Sequence, residues 1–174
     1  MNNRRLDVIP KTSLLPWLNH HDSLTDKLKT FTPTVKLNII RHEWSFTDAW
    51  DQHELHLQPQ QRVLHREITM QSDKTLCWYA RTTIPEQTYQ AKSHLFDQLE
   101  TQPLGHLIWN NADIERTLLH YYPINQRSME YAFLNARMHQ HQELLWARRS
   151  LIMVHANNPL YLLEIFLPGL DNFC

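Results

Sequence analysis

The chain has 174 residues, 42% hydrophobic and 20% charged, the make-up of one folded domain rather than a disordered chain. Its 17 basic and 18 acidic residues nearly cancel, so the basic excess of a nucleic-acid binder is missing. Only two glycines occur, Gly105 and Gly169, which excludes glycine-rich phosphate loops and the glycine-flanked serine elbow of hydrolases.

Ser13 to about Phe31 has apolar residues near helical spacing, and Asp22-Ser23 is placed to cap a second helix within it. Val35, Leu37 and Ile39 alternate, predicting a strand over Thr34–Trp44, and the polar stretch Ser45–Gln61 reads as a connector. Arg62–Met70 and Thr75–Ile84 are predicted to form a hairpin across Gln71-Ser-Asp-Lys74. Pro85 ends the second strand, and Glu86 to about Glu100 follows as a helix. Pro103 begins another short helix. Ile114–Pro123, Met129–Met138, Leu144–His155 and Leu160–Leu167 are further strand candidates, with Asn157-Asn158-Pro159 as the last turn. The pattern predicts a single α+β domain over residues 1–174, with a largely antiparallel sheet and helices on one side.

The N-terminus lacks the apolar run of a secretory signal, and no stretch approaches the ~18 apolar residues that span a bilayer. Cys77 and Cys174 read as reduced thiols. The expectation is a soluble cytoplasmic protein with no integral membrane segment.

Two charges fall where apolar side chains are expected. In Val63–Met70 one strand face carries Leu64, Arg66, Ile68 and Met70, so Arg66 lies on the apolar side. In Pro159–Pro168 Glu164 interrupts a run that is apolar on both faces. A buried charge is costly unless paired or ligand-bound. The two form either a structural ion pair or a pocket for an anion that also offers a hydrogen-bond donor. Arginine grips a carboxylate with two prongs, and an inward carboxylate suits an acid–base or acceptor role. Arg148-Arg149 adds a further inward cation, although periodicity does not choose which, and Arg81 lies on the face with Tyr79 and Thr83. His139-x-His141 and His53-x-x-His56 lack a known ligand pattern, so no metal site is expected. Cys77 has no activating motif and reads as a core thiol.

The ordered set Asp22-Ser-Leu-Thr25, His65-Arg-Glu-Ile68, Ala80-Arg-Thr-Thr-Ile-Pro85, Pro103-Leu-Gly105, Leu145-Trp-Ala-Arg-Arg-Ser150 and Pro159–Pro168 resembles the bacterial chorismate pyruvate-lyases of ubiquinone biosynthesis, from about Leu15 to Leu170. The resemblance implies a six-stranded antiparallel sheet flanked by helices, with an internal ligand cavity. It implies cofactor-free conversion of chorismate to 4-hydroxybenzoate and pyruvate. It assigns the ring carboxylate to Arg66, assisted by the main-chain N–H groups of Leu24 and Leu104, and the 4-hydroxyl to Glu164. Arg149, Arg148 and Arg81, in that order, are candidates for the enolpyruvyl carboxylate. Leu24 replaces an expected methionine, Ala147 a glycine and His106 an arginine, and the stretch between Arg127 and Leu144 is longer than usual. A monomer is expected. The alternative is a non-catalytic domain of similar fold that binds small aromatic acids, as in the effector domains of transcription regulators; here no helix-turn-helix precedes it.

Overall fold

The computed structural model describes residues 8–140 and 142–174. Six strands form one fully antiparallel sheet: β1 (Val35–Phe46), β2 (Arg62–Ser72), β3 (Thr75–Pro85), β4 (Ile114–Asn125), β5 (Leu144–Val154) and β6 (Asn158–Phe166). Their spatial order is β1-β2-β3-β6-β5-β4. Strands β2 and β3 are joined by the two residues Asp73-Lys74, Asp73 having a φ of 52°, the positive φ that tight hairpins demand.

The predicted strand at Met129–Met138 is corrected. Apolar Tyr131, Phe133 and Met138 belong to a 3-10 turn (Met129–Phe133) and a helical turn, Ala136–His139. Asn135 caps that turn through its side-chain oxygen, which accepts from Met138 N at 3.1 Å. The Ser13–Phe31 segment is two helices, α1 (Leu15–Leu18) and α2 (Leu24–Lys29). Ser23 is the α2 cap, its Oγ accepting from Asp26 N. The connector at Ser45–Gln61 contains α3 (Ala49–Glu54), started by a reciprocal Asp48–Asp51 capping box. Glu86–Glu100 is broken at Lys92 into α4 (Glu86–Ala91) and α5 (Ser93–Phe96) before a 3-10 turn, and α6 (Leu104–Ile108) follows. The β5–β6 reversal is His155-Ala156-Asn157, the first two at positive φ, so of the expected Asn157-Asn158-Pro159 turn only Asn157 lies in it, and Asn158 and Pro159 begin β6.

Helices cover both faces of the sheet, not one. One core lies where α1, α2 and α4 to α6 pack on Leu64, Ile68, Met70, Trp78, Ile84, Leu162 and Phe166. The other lies under α3 and the 129–139 segment, where Trp50, Tyr131 and Met138 meet Tyr79, Leu163 and Ile165. Strand β3 is buried at nearly every position, so apolar-in, polar-out alternation does not describe it.

Candidate functional site

The first face of the sheet floors a pocket whose walls are the starts of α2 and α6. Its space is about 480 Å³, counting any part continuous with solvent, and its lining includes Leu24, Arg66, Leu104, Arg116, Arg148 and Glu164. Strand pairing explains the arrangement. Arg66 faces Thr82 across β2 and β3, while one pair further along Ala80 faces Glu164 and Glu164 faces Arg148. Two strand spacings sideways and two residues lengthwise put the Cα atoms of Arg66 and Glu164 roughly 12 Å apart. The two side chains do not pair with each other. Arg66 Nε donates to Leu99 O at 3.0 Å and Nη2 to Gln102 O at 2.9 Å. Glu164 Oε2 accepts from Arg148 Nε at 2.5 Å.

Leu24 and Leu104 are the first residues of α2 and α6. At that position the main-chain N–H has no acceptor within its own helix. The two helix starts converge: a Cβ at Gly105 would sit 3.1 Å from Ser23 Oγ and 3.2 Å from Trp109 Nε1. A side chain at Gly105 would therefore require the Ser23 and Trp109 side chains to give by a few tenths of an ångström.

Charge is unbalanced in this pocket. Arg66, Arg148 and Arg116 line it, and Glu164 is its only buried carboxylate, with Asp22 exposed at the rim. Arg116 was not legible from the sequence. It shares a face with Ile114, but a bulge between Arg116 and Leu118 interrupts the alternation. Arg116 Nη1 donates to His21 O at 2.8 Å and reaches His20 O at 3.4 Å, and its guanidinium lies 4.4 Å from the Trp109 ring centroid. Arg148 Nη1 donates to the same His20 carbonyl at 2.7 Å and to Trp17 O at 3.0 Å. Arg116 Nε and Arg148 Nη2 are buried without a hydrogen-bond partner among the described residues. Burial pushes Arg66 and Arg116 down to about 10, so both stay cationic at neutral pH. His42, opposite Arg66 on β1, is lowered by burial and by the Arg66 charge.

The other expected arginines lie across the sheet. Arg149, ranked first, donates to Glu54 O and Oε2 at 3.0 and 3.1 Å. Arg81 Nη2 contacts Asp48 Oδ2 at 2.5 Å and Asp51 Oδ1 at 3.2 Å. Strand parity therefore selects Arg148, whose pairing partner is Glu164, and removes Arg149 and Arg81 from the pocket. His65 Nε2 lies 2.7 Å from Asp51 Oδ2, and Thr83 Oγ1 donates to Asp51 Oδ1 at 3.1 Å. Asp48, Asp51 and His65 form the one cluster of metal-ligand type among the described residues. The Arg81 guanidinium nitrogen already contacts all three, at 2.5, 3.2 and 2.8 Å, so the cation of that cluster is Arg81 itself. His53 is exposed and pairs with Glu54, and His141 lies outside the described residues. Both cysteines are free, and burial pushes Cys77 up to about 11, away from thiolate chemistry.

The family model described as chorismate lyase matches residues 3–171. The chain is 28% identical over 157 residues to the chorismate pyruvate-lyase of Erwinia tasmaniensis, covering 90% of this chain and 79% of that one. It is 29% identical over 158 residues to that of Cronobacter sakazakii, covering 91% and 82%. Among solved structures, a GntR-family transcriptional regulator from Bacillus cereus superposes with a TM-score of 0.56 at 14% identity, covering 78% of this chain and 92% of that one. PhnF from Mycobacterium smegmatis gives 0.56 at 15% identity, covering 86% and 65%. At such identity the regulators share the fold alone.

Proposed function

The chain belongs to the chorismate lyase family, and from that premise we propose that it converts chorismate to 4-hydroxybenzoate and pyruvate. The observation that carries the reading is the pocket's charge: two buried arginines, Arg66 and Arg148, and the half-buried Arg116 stand against one buried glutamate, an excess of two positive charges among these four. Chorismate is a dianion, and a low-dielectric pocket makes charge complementarity count for more than it does in water. Arg66 holds the ring carboxylate with the prongs not engaged by Leu99 and Gln102, and the N–H groups of Leu24 and Leu104 assist. Glu164, oriented by Arg148, accepts the hydrogen bond of the 4-hydroxyl at the other end of the ring.

The chemistry is redox-neutral elimination. The ring carbon–oxygen bond to the enolpyruvyl group breaks, the ring carbon bearing the hydroxyl loses its hydrogen, and the ring becomes aromatic. The departing enolpyruvate gains that hydrogen and becomes pyruvate. Atoms balance without oxidant, reductant or metal, and the protein's part is binding and orientation. The reading needs no residue from a second copy, so it takes the protein as a monomer. The free cysteines support a cytoplasmic setting, and no described helix is long and apolar enough to cross a membrane. The product then supplies the ubiquinone ring. The test is purified protein with chorismate, following pyruvate and 4-hydroxybenzoate over time. Equimolar release of both is expected, and absence of both from folded protein would overturn the reading.

A further inference from the structure

Two pocket arginines, Arg66 and Arg116, have no carboxylate partner among the ion pairs of the described residues, whereas Arg148 is committed to Glu164. Arg66 faces the ring carboxylate in the reading above. Arg116 is the remaining unpaired cation. Its Nη1 is taken by the carbonyls of His20 and His21, but its Nε is buried and unpartnered. Arg148 is alike: Nε goes to Glu164, Nη1 to Trp17 and His20, and Nη2 is buried and unpartnered. The two guanidiniums converge on one carbonyl, that of His20. Neighbouring cations with one carboxylate between them repel unless a second anion is added. A buried donor left unmet costs free energy that an incoming acceptor recovers.

Resting on the chorismate assignment, we propose that Arg116, with Arg148 Nη2 beside it, binds the second carboxylate of the substrate. That carboxylate belongs to the enolpyruvyl group and leaves with pyruvate. The product keeps only the ring carboxylate. Arg116 therefore binds substrate and not product, and it sets the preference for a dicarboxylate over an aromatic monocarboxylate. Arg66 and Glu164 serve both.

The experiment measures KM for chorismate and Kd for 4-hydroxybenzoate in the wild type, Arg116→Met and Arg116→Lys, with thermal unfolding of each. Losing one partner of a buried charge contact predicts a KM for chorismate raised roughly 30-fold or more in Arg116→Met. The Kd for 4-hydroxybenzoate stays within about threefold, and Arg116→Lys recovers part of the loss because it keeps the charge. An equal loss of affinity for both ligands, or an unchanged KM, overturns the proposal; the first outcome would make Arg116 a strut for the α1–α2 connector. If Arg116→Met does not fold, Arg116→Lys decides by the same split. A wild type that binds chorismate without releasing pyruvate sinks the catalytic reading instead, and the ratio of chorismate to 4-hydroxybenzoate affinity in the variants still decides the role of Arg116.

Discussion

The two faces of the sheet both bury arginines, and they use them in opposite ways. Across the sheet from the pocket, Arg81 is met by Asp48 and Asp51, with Glu67 3.9 Å away, and Arg149 is met by Glu54. On the pocket face one glutamate serves three arginines. Unpartnered nitrogens do not separate the faces, because Arg81 Nε is as orphaned as Arg116 Nε. Charge balance does. A face whose cations find carboxylates of its own is built for stability, and a face that leaves cations unanswered is built for a visitor.

The comparison predicts different failures on the two sides. Arg66→Ala should abolish turnover in an assay of chorismate cleavage, with a fall of ~1,000-fold or more, while the protein still folds, since burial of this cation is a cost to the empty protein. Arg81→Met should do the reverse. It strips Asp51 of its cation, so urea unfolding should show a loss of about 3–5 kcal/mol, while kcat of the folded fraction is unchanged. A large drop in kcat at full stability would break the distinction between the faces. Glu164→Gln keeps a hydrogen-bond acceptor but weakens the link to Arg148, so turnover should fall by roughly ten- to a hundredfold, short of the Arg66 effect. Complete loss of turnover with product affinity retained would instead make Glu164 the base that removes the ring hydrogen.

The smallest effect is a pH effect. Burial raises the Asp51 carboxyl, but its hydrogen bond to His65 and the charge of Arg81 outweigh that and leave it below the usual carboxylate value. A carboxyl lowered on folding contributes stability that is complete above its unfolded value, near 4, and is lost as pH falls through the folded value. Acid titration followed by tryptophan fluorescence should therefore show instability setting in below about pH 4. In Asp51→Asn that step should be diminished.

The sequence reveals the pocket through Arg66 and Glu164 because an inward charge stands out in an apolar run. The same rule misses half of the picture. It treats the His65 face of β2 as the wetter one, whereas His65 is fully buried beneath α3. Which of Arg148 and Arg149 points inward depends on pairing with Glu164, a contact 16 residues away that periodicity along one strand does not contain. Arg116 is hidden by a bulge, and α3 is hidden because its start rests on the reciprocal Asp48–Asp51 cap rather than on an apolar stripe. The 129–139 segment misleads for a related reason: its aromatic residues alternate as a strand would, but Phe133 is there to stack on Tyr79, at 6.2 Å between ring centroids.

Gly105 sets the gauge of the pocket. Its α-carbon is the point where the starts of α2 and α6 press together, and a single added methyl would meet Ser23 Oγ and Trp109 Nε1 at contact distances that force one of them to yield. The two walls that present the N–H groups of Leu24 and Leu104 are thus spaced by hydrogen, the smallest possible shim. Any side chain there displaces Ser23 or Trp109, so the spacing of the two helix starts and of their main-chain donors varies together at this position.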